Sequence, residues 1–294
     1  MRNKKSAFSL IEISIVILII GILVAGVTQS SRLISNSRVT TAQTLTQSAP
    51  VTANKGLMLW LETSSEASFA AAESSDNAAV TVWNDINTQS ISKLFARTIT
   101  ASSVVYKAAS PLSGLPSLYF SSTNTGMTLS STSGSTTATT LQTMGSSGGA
   151  TNFTFFAVYR EETNAAHAVF FNGVSGTSGW GFLNNGSSVR NIKTAAVSHT
   201  AGTTNYSTNA TISSGSFDGT TIKLYTNGNN LETLSSTAGP VTSPTTSMLI
   251  GTDGTNHWLG YISEIIVFDN ALKDDDRKAI EQYLGKKYSI KITN

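Results

Sequence analysis

Residues 8–27 read FSLIEISIVILIIGILVAGV, twenty positions that carry one charge, Glu12. At ~1.5 Å per residue, a helix of this length crosses the ~30 Å hydrocarbon layer of a bilayer. Whatever follows, the chain therefore begins with a membrane-length helix. Arg2, Lys4 and Lys5 stand before the run. That asymmetry keeps the first residues in the cytoplasm and sends the rest across the membrane.

A cleaved secretory signal fits poorly. Its apolar region is usually about 7–15 residues, and no A-x-A site follows closely here. A plain anchor accounts for the length but leaves Glu12 unexplained. A carboxylate at that depth costs about 2.5–3.5 kcal/mol and calls for a partner.

The segment KKSAFSLIEISIVILIIGILVAG resembles the type III signal of type IV pilins and pseudopilins: a short basic leader, a small residue, Phe, then T/S-L-I-E and an apolar helix. The resemblance implies cleavage by a prepilin peptidase between Ala7 and Phe8 and methylation of the new Phe8 amine. It also implies packing of the mature helix against other pilin subunits. Glu12 would then be the fifth residue of the mature chain and would pair with the Phe8 ammonium of a neighbour. Opposite charges in a low dielectric offset each other's burial cost and fix the stagger between helices. The family usually carries Gly before the cut, and Ala7 in its place predicts slower cleavage. Losing the leader moves the formal net charge from +2 to −1.

Beyond Val27 the text turns polar. Ile34, Val39, Ala42 and Leu45 mark a loose helical stripe, with Arg32 and Arg38 at or above the headgroups. Ala49 precedes Pro50 and is biased away from the helical region, so the helix should end near Gln47. The resulting division is a leader at 1–7, the hydrophobic helix at 8–48, a linker at 49–55 and a globular domain at 56–294.

In that domain the runs GLMLWLE, AVTVWND, FTFFAVYR, AVFFNGV, TIKLYTNG, SMLIGT and YISEIIVFD read as short strands separated by Asn-Gly, Asp-Gly and Gly-Asn turns. Only 12% of residues are charged, about half the usual ~25%. Charge-driven disorder is thereby disfavoured, and a net charge of +2 is no footprint of a nucleic-acid binder. The absence of cysteine rules out a disulfide scaffold, thiolate zinc and a Cys nucleophile. The fold class is mainly β: a long N-terminal transmembrane helix, then a jelly-roll β-sandwich with a short C-terminal helix. The order GLMLWLE, VWND, LPSLYF, NFTFFAVYR, SFDGTTIKLYTNG, SMLIGTDG is similar to that of concanavalin A-like, laminin-G-like domains. The tail WLGYISEIIVFDNALKDDDRKAIEQYLGKKYSI carries the resemblance most specifically.

Relatives of that kind include glycoside hydrolases, which need paired carboxylates about 5–5.5 Å apart for a retaining site. The nearest pair in sequence is Glu264 and Asp269. Five residues apart on a strand, they face opposite sides and lie ~17 Å apart along it, so enzyme activity finds no support. Asp85, Asp218 and Asp253 occupy turn contexts. Asp274, Asp275 and Asp276 suit a helix start through the macrodipole and capping. His167, His199 and His257 lack metal-ligand spacing. The laminin-G resemblance implies possible calcium at a sheet rim, with Asp85 beside Asn84 or Asp253 beside Asn256 as oxygen donors. Trp60 and Trp83 fall in strand patterns and read as core. Trp180 in SGWGFLNNG, Trp258 in TNHWLG and Tyr206 in GTTNYSTN lie beside turns and are candidate stacking platforms for a sugar.

The expected function is a pilin-like subunit of inner-membrane origin that presents a lectin-like head to a carbohydrate or surface protein. A head of ~240 residues has a radius of gyration of roughly 18 Å, which suits a minor or tip position in a cell-surface fibre. The alternatives are a pseudopilin of a type II secretion or DNA-uptake system, a membrane-tethered glycan hydrolase, and an anchored lectin that never polymerises.

Overall fold

The computed structural model describes residues 9–90, 93–101, 103–121, 125–131, 152–163, 166–175, 178–185, 190–194, 197–201, 208–235 and 247–293. It opens on α1 (Leu10–Gln47), 38 residues long and so ~57 Å from end to end. Its first half is apolar and long enough to span a membrane. Leu10 is 84% exposed and Ile17 64%.

The second half is rich in Ser and Thr, which are weak helix formers. Those hydroxyls turn back on the helix itself: Thr40 Oγ1 donates to the Asn36 carbonyl (3.0 Å), Thr41 to Ser37 (2.8 Å) and Thr44 to Thr40 (3.0 Å). Bonded in this way the hydroxyls are satisfied locally but share the carbonyls of the backbone ladder, so this half of the helix draws its stability from packing. Ala42 is buried and Leu45 packs beneath the head. Ile34, expected on the same stripe, is 55% exposed, because the contact with the head begins later along the helix. After Gln47 the chain does not hang free. Pro50–Ala53 form a 3-10 turn whose Val51 is fully buried, so the stretch read as a linker is a packed corner.

The head contains β1 (Leu57–Glu62), β2 (Val82–Asn84), β3 (Phe95–Thr98), β4 (Val104–Lys107), β5 (Ser117–Ser121), β6 (Met127–Ser130), β7 (Phe153–Glu161) and β8 (Ala166–Ser175). It continues through β9 (Ser178–Asn185), β10 (Arg190–Thr194), β11 (Val197–Ala201), β12 (Thr211–Phe217), β13 (Thr221–Thr226), β14 (Asn229–Ser235), β15 (Met248–Ile250) and β16 (Leu259–Phe268), and ends with α2 (Asp274–Tyr288). The strands build two antiparallel sheets. One runs β14-β13-β12-β7-β16-β5-β4, with β1 also paired to β16; the other runs β11-β10-β9-β8-β15-β6-β3-β2.

Between the sheets lies the main core. From β7, Phe153, Phe155, Ala157 and Tyr159 point inward, while Phe156 and Val158 point the other way and are also buried. This explains why FTFFAVYR reads as a continuous apolar run: both faces of the strand are covered. The outward layer is completed by Trp60, Ile266 and Phe268 from the sheet, Ile280 and Leu284 from α2, and Ala42 from α1. The membrane helix and the C-terminal helix thus share one face of the first sheet. α2 itself carries Asp274, Asp275 and Asp276 in its first turn and Lys286 and Lys287 in its last, in the sense the macrodipole favours. Its N-cap is Lys273, with no side-chain cap bond, so the acid run acts through charge and not through capping.

Gly215 on β12 tests the density of the inter-sheet core. A Cβ there would approach Phe155 Cε1 to 2.5 Å and Ile192 Cδ1 to 2.6 Å. Gly215→Ala is expected to cost about 1–3 kcal/mol by overpacking, measured by urea unfolding of the purified protein. An unchanged midpoint would show that the two sheets are less tightly packed there.

Candidate functional site

At the start of α1, the Ser9 amide donates to Glu12 Oε2 at 2.8 Å. Ser9-x-x-Glu12 is the sequence form of a capping box, in which an acid at the third helical position satisfies an otherwise orphaned N–H. The acid that the apolar run left unexplained therefore has a partner within its own chain. Ala7 and Phe8 lie outside the described residues.

Under the head, three charges are sealed together. Lys287 Nζ donates to Glu62 Oε1 (2.6 Å) and Glu264 Oε2 (2.8 Å), and all three side chains are 0% exposed. Glu62 and Glu264 face each other across the β1–β16 ladder. Glu264 also accepts from Trp60 Nε1 (2.8 Å), Tyr283 Oη (3.1 Å) and Tyr288 Oη (3.0 Å). The Lys287 ammonium further donates to Thr46 Oγ1 of α1 at 2.8 Å. Nearby, Gln43 Nε2 donates to the Ser64 carbonyl at 2.9 Å. Burial pushes the Glu264 carboxyl above its usual range; Lys287 opposes that push and the Glu62 charge adds to it. Burial works against the Lys287 charge, but the Glu264 and Glu62 carboxylates outweigh it and hold the ammonium well above the ordinary lysine range. These two acids are a closer carboxylate pair than Glu264 with Asp269, and their facing positions were not legible as neighbours in the sequence. α2 closes over them and leaves no opening to a sugar ring.

Two of the three residues expected to stack on a sugar, Trp180 and Trp258, do not lie on the surface. Trp180 is fully buried, stacked on Phe153 at 4.0 Å and 6° and edge-on to Phe170 at 5.4 Å. Trp258 is fully buried too and meets Tyr159 edge-on at 5.5 Å. Both belong to the inter-sheet core. The reason is alternation: in SGWGFLNN, Trp180 and Phe182 point inward, while Gly181 and Leu183 take the opposite face. Tyr206 lies outside the described residues.

Both calcium candidates hold backbone amides through Oδ1, while Asp85 Oδ2 is buried without a hydrogen-bond partner among the described residues. Asp85 Oδ1 accepts from Trp60 N and Asn87 N, both at 2.9 Å, and ties β1 to the β2 end of the other sheet. Asp253 Oδ1 accepts from Thr255 N (2.9 Å) and Asn256 N (2.7 Å), and its Oδ2 from Asn256 Nδ2 (2.9 Å). This is an Asx-type turn. Burial disfavours its charge, but those N–H donors outweigh burial and lower its pKa. Among the described residues no group of three or more His, Asp or Glu side chains converges as a metal site would.

The first sheet does present an aromatic patch to solvent. Val105, Tyr119, Tyr261 and Arg160 are cross-strand neighbours on β4, β5, β16 and β7. They share the face that α2 covers elsewhere. The Tyr119 and Tyr261 rings lie 5.0 Å apart, both half-buried. Lys107 Nζ is 5.7 Å from the Tyr119 ring centre and the Arg160 guanidinium 5.9 Å from that of Tyr261. Glu162 accepts from Tyr119 Oη (3.2 Å) and from Arg160 Nη1 (3.4 Å). Two rings flanked by donors and a carboxylate can stack on an apolar sugar face and bond its hydroxyls.

Comparison with known proteins bears on both halves of the chain. Residues 2–28 match the prokaryotic N-terminal methylation motif, and residues 117–276 match the concanavalin A-like lectin/glucanases superfamily. No curated protein matches this chain. Among solved structures, the binding domain of botulinum neurotoxin serotype D is similar, with a TM-score of 0.52 and 12% identity over 79% of this chain and 51% of that one. The same toxin's ligand-binding domain in complex with N-acetylneuraminic acid gives a TM-score of 0.51 at 12% identity, covering 77% and 50%. The sialidase of Trypanosoma rangeli gives 0.46 at 12% identity, covering 79% and 33%. This chain therefore spans about a third of the sialidase and half of the toxin chains, and at such identities the likeness concerns the fold alone. β1 and β4, which precede the matched region, pair with β16 and β5 inside it, so the sandwich is continuous across that boundary. With a family model matching more than half of its length, this chain, a sandwich of two antiparallel sheets, belongs to the concanavalin A-like lectin/glucanases superfamily.

Proposed function

We propose that this chain is a type IV pilin-like subunit, minor or at the tip, that carries a lectin-like head on the outside of the cell. The observation that carries this reading is the union of two parts. An apolar half-helix with its side chains exposed continues without a break into a half that is hydrogen-bonded to the sandwich. A simple tether would serve with a flexible linker, whereas a fibre subunit must hold its head at a fixed angle to the packed helix. Prepilin peptidase would act between Ala7 and Phe8 on the cytoplasmic side of the inner membrane. On assembly, Glu12 would exchange the Ser9 amide for the Phe8 ammonium of a neighbouring subunit, gaining a charged partner in low dielectric. The head acts by binding, not by catalysis.

N-terminal sequencing of the processed protein checks this first. A start at methylated Phe8 is expected, and a mature protein that retains Met1 is incompatible with the pilin route. Glu12→Ala is expected to insert and be cleaved normally yet to be depleted from sheared fibres by about tenfold, as loss of ~1.4 kcal/mol of pairing energy implies. Equal incorporation of mutant and wild type would remove the charge-pair step.

We assign carbohydrate contact to the Tyr119–Tyr261 patch with Arg160 and Glu162. In a glycan array, run with and without calcium, Tyr119→Ala with Tyr261→Ala is expected to weaken binding about tenfold, since ring contacts are worth ~0.5–1.5 kcal/mol each. Because both rings are half-buried and touch each other, some loss of thermal stability is expected as well, and binding is compared at a temperature where circular dichroism shows the variant folded. Binding that survives the double substitution would place the ligand elsewhere.

A further inference from the structure

The contact between Lys287 and Glu62 has the ingredients of a covalent bond. The amine nitrogen is 2.6 Å from one carboxylate and 2.8 Å from a second, with all three groups closed off from water behind Trp60, Tyr283 and Tyr288. Fixed orientation replaces a bimolecular encounter, and a dry site withholds the water that hydrolysis needs. We infer that Lys287 Nζ and the Glu62 side chain condense to an intramolecular amide, with Glu264 carrying the proton.

The surroundings assign the roles. Glu62 accepts the Ser64 amide on Oε1 (2.7 Å) and the Ser65 amide on Oε2 (2.6 Å). Two fixed backbone donors stabilise negative charge as it develops on those oxygens. Glu264 touches the same ammonium through Oε2, and burial, with the Glu62 charge, raises its affinity for a proton.

The chemistry balances without a co-reactant. Lys287 begins as an ammonium with three protons. One passes to the Glu264 carboxylate, and the free amine attacks Glu62 Cδ. The C–N bond forms and the C–Oε2 bond breaks. Oε2 departs as water with the proton returned by Glu264 and a second proton from the attacking nitrogen, while the third stays on the amide. Glu264 ends as it began. Because the surrounding acids favour the ammonium, the nucleophile arises only when Glu264 takes its proton.

Such a bond has a mechanical use. α1 leads into the head through β1, and among the described strands β1 forms a ladder only with β16. An amide from β1 to α2 carries load around that single ladder, in a chain with no cysteine to form a disulfide. Bond formation itself depends on the buried cluster and not on fibre assembly.

Intact-mass spectrometry of the full chain, purified in detergent and then denatured, tests this directly. The wild type is expected one water lighter than its processed sequence, with digestion yielding a branched peptide that joins Glu62 to Lys287. Lys287→Arg, which keeps the cation, and Glu264→Gln, which keeps the shape but cannot take the proton, are both expected at full mass, with circular dichroism confirming the sandwich. A wild type at full mass overturns the proposal whether or not the variants fold. So does a branched peptide at any other lysine, and complete bonding in folded Glu264→Gln overturns the proton carrier.

Discussion

Before the proposed amide closes, the Lys287 ammonium lies between Glu62 and Glu264 with no access to water, and three distant parts of the chain must be in place before that arrangement is tolerable. A buried ion costs several kcal/mol, and the cost is offset only when every donor and acceptor is satisfied. Here β1 and β16 each supply an acid, α2 supplies the cation and two tyrosines, Trp60 supplies an indole N–H, and Thr46 of α1 accepts the remaining donor. Removing any contributor strands a charge. The cluster therefore acts as a condition on the whole fold: the C-terminal helix, the sheet and the base of the membrane helix dock together or not at all.

This docking gives the bipartite sequence its meaning. An apolar half-helix asks for lipid or for other helices, and a sandwich with a neutral polar surface asks for water. The Ser/Thr-rich half of α1 belongs to neither until its hydroxyls are turned on its own carbonyls and its inner stripe meets α2. Orientation of the head is then set by side-chain bonds and not by a flexible connection. A ligand held at the Tyr119–Tyr261 patch would be presented at a constant angle to the helix.

Much of this was legible because the signals were local. The apolar run with its methylation motif, the strand YISEIIVF and the acidic start of α2 are each contained within a short stretch. What the sequence hid falls into two kinds. Glu62 and Lys287 stand 225 residues apart, and although Glu264 alternates with Ile266 and Phe268 toward the α2 face, no local pattern shows that Glu62 is its cross-strand partner. Trp180 and Trp258 misled for the opposite reason. Their Gly and Asn neighbours suggest turns, whereas Gly181 and Gly260 lie inside β9 and β16, where a Cβ would press on the backbone of the neighbouring strand at Phe170 and Arg160. Ser9-x-x-Glu12 has the sequence form of a capping box, so a partner for Glu12 lies three residues away in its own chain.

The membrane helix and the lectin-like head form one body through the buried cluster. Hydrogen–deuterium exchange on the full chain in detergent measures this most directly, because local opening free energies distinguish a docked helix end from a frayed one. The amides of Thr40–Gln47 should be protected to the same degree as those of β16 and should lose protection together with α2 when Lys287 is replaced. Exchange of those amides at the rate of an isolated Ser/Thr-rich helix, with β16 still protected, would contradict the account.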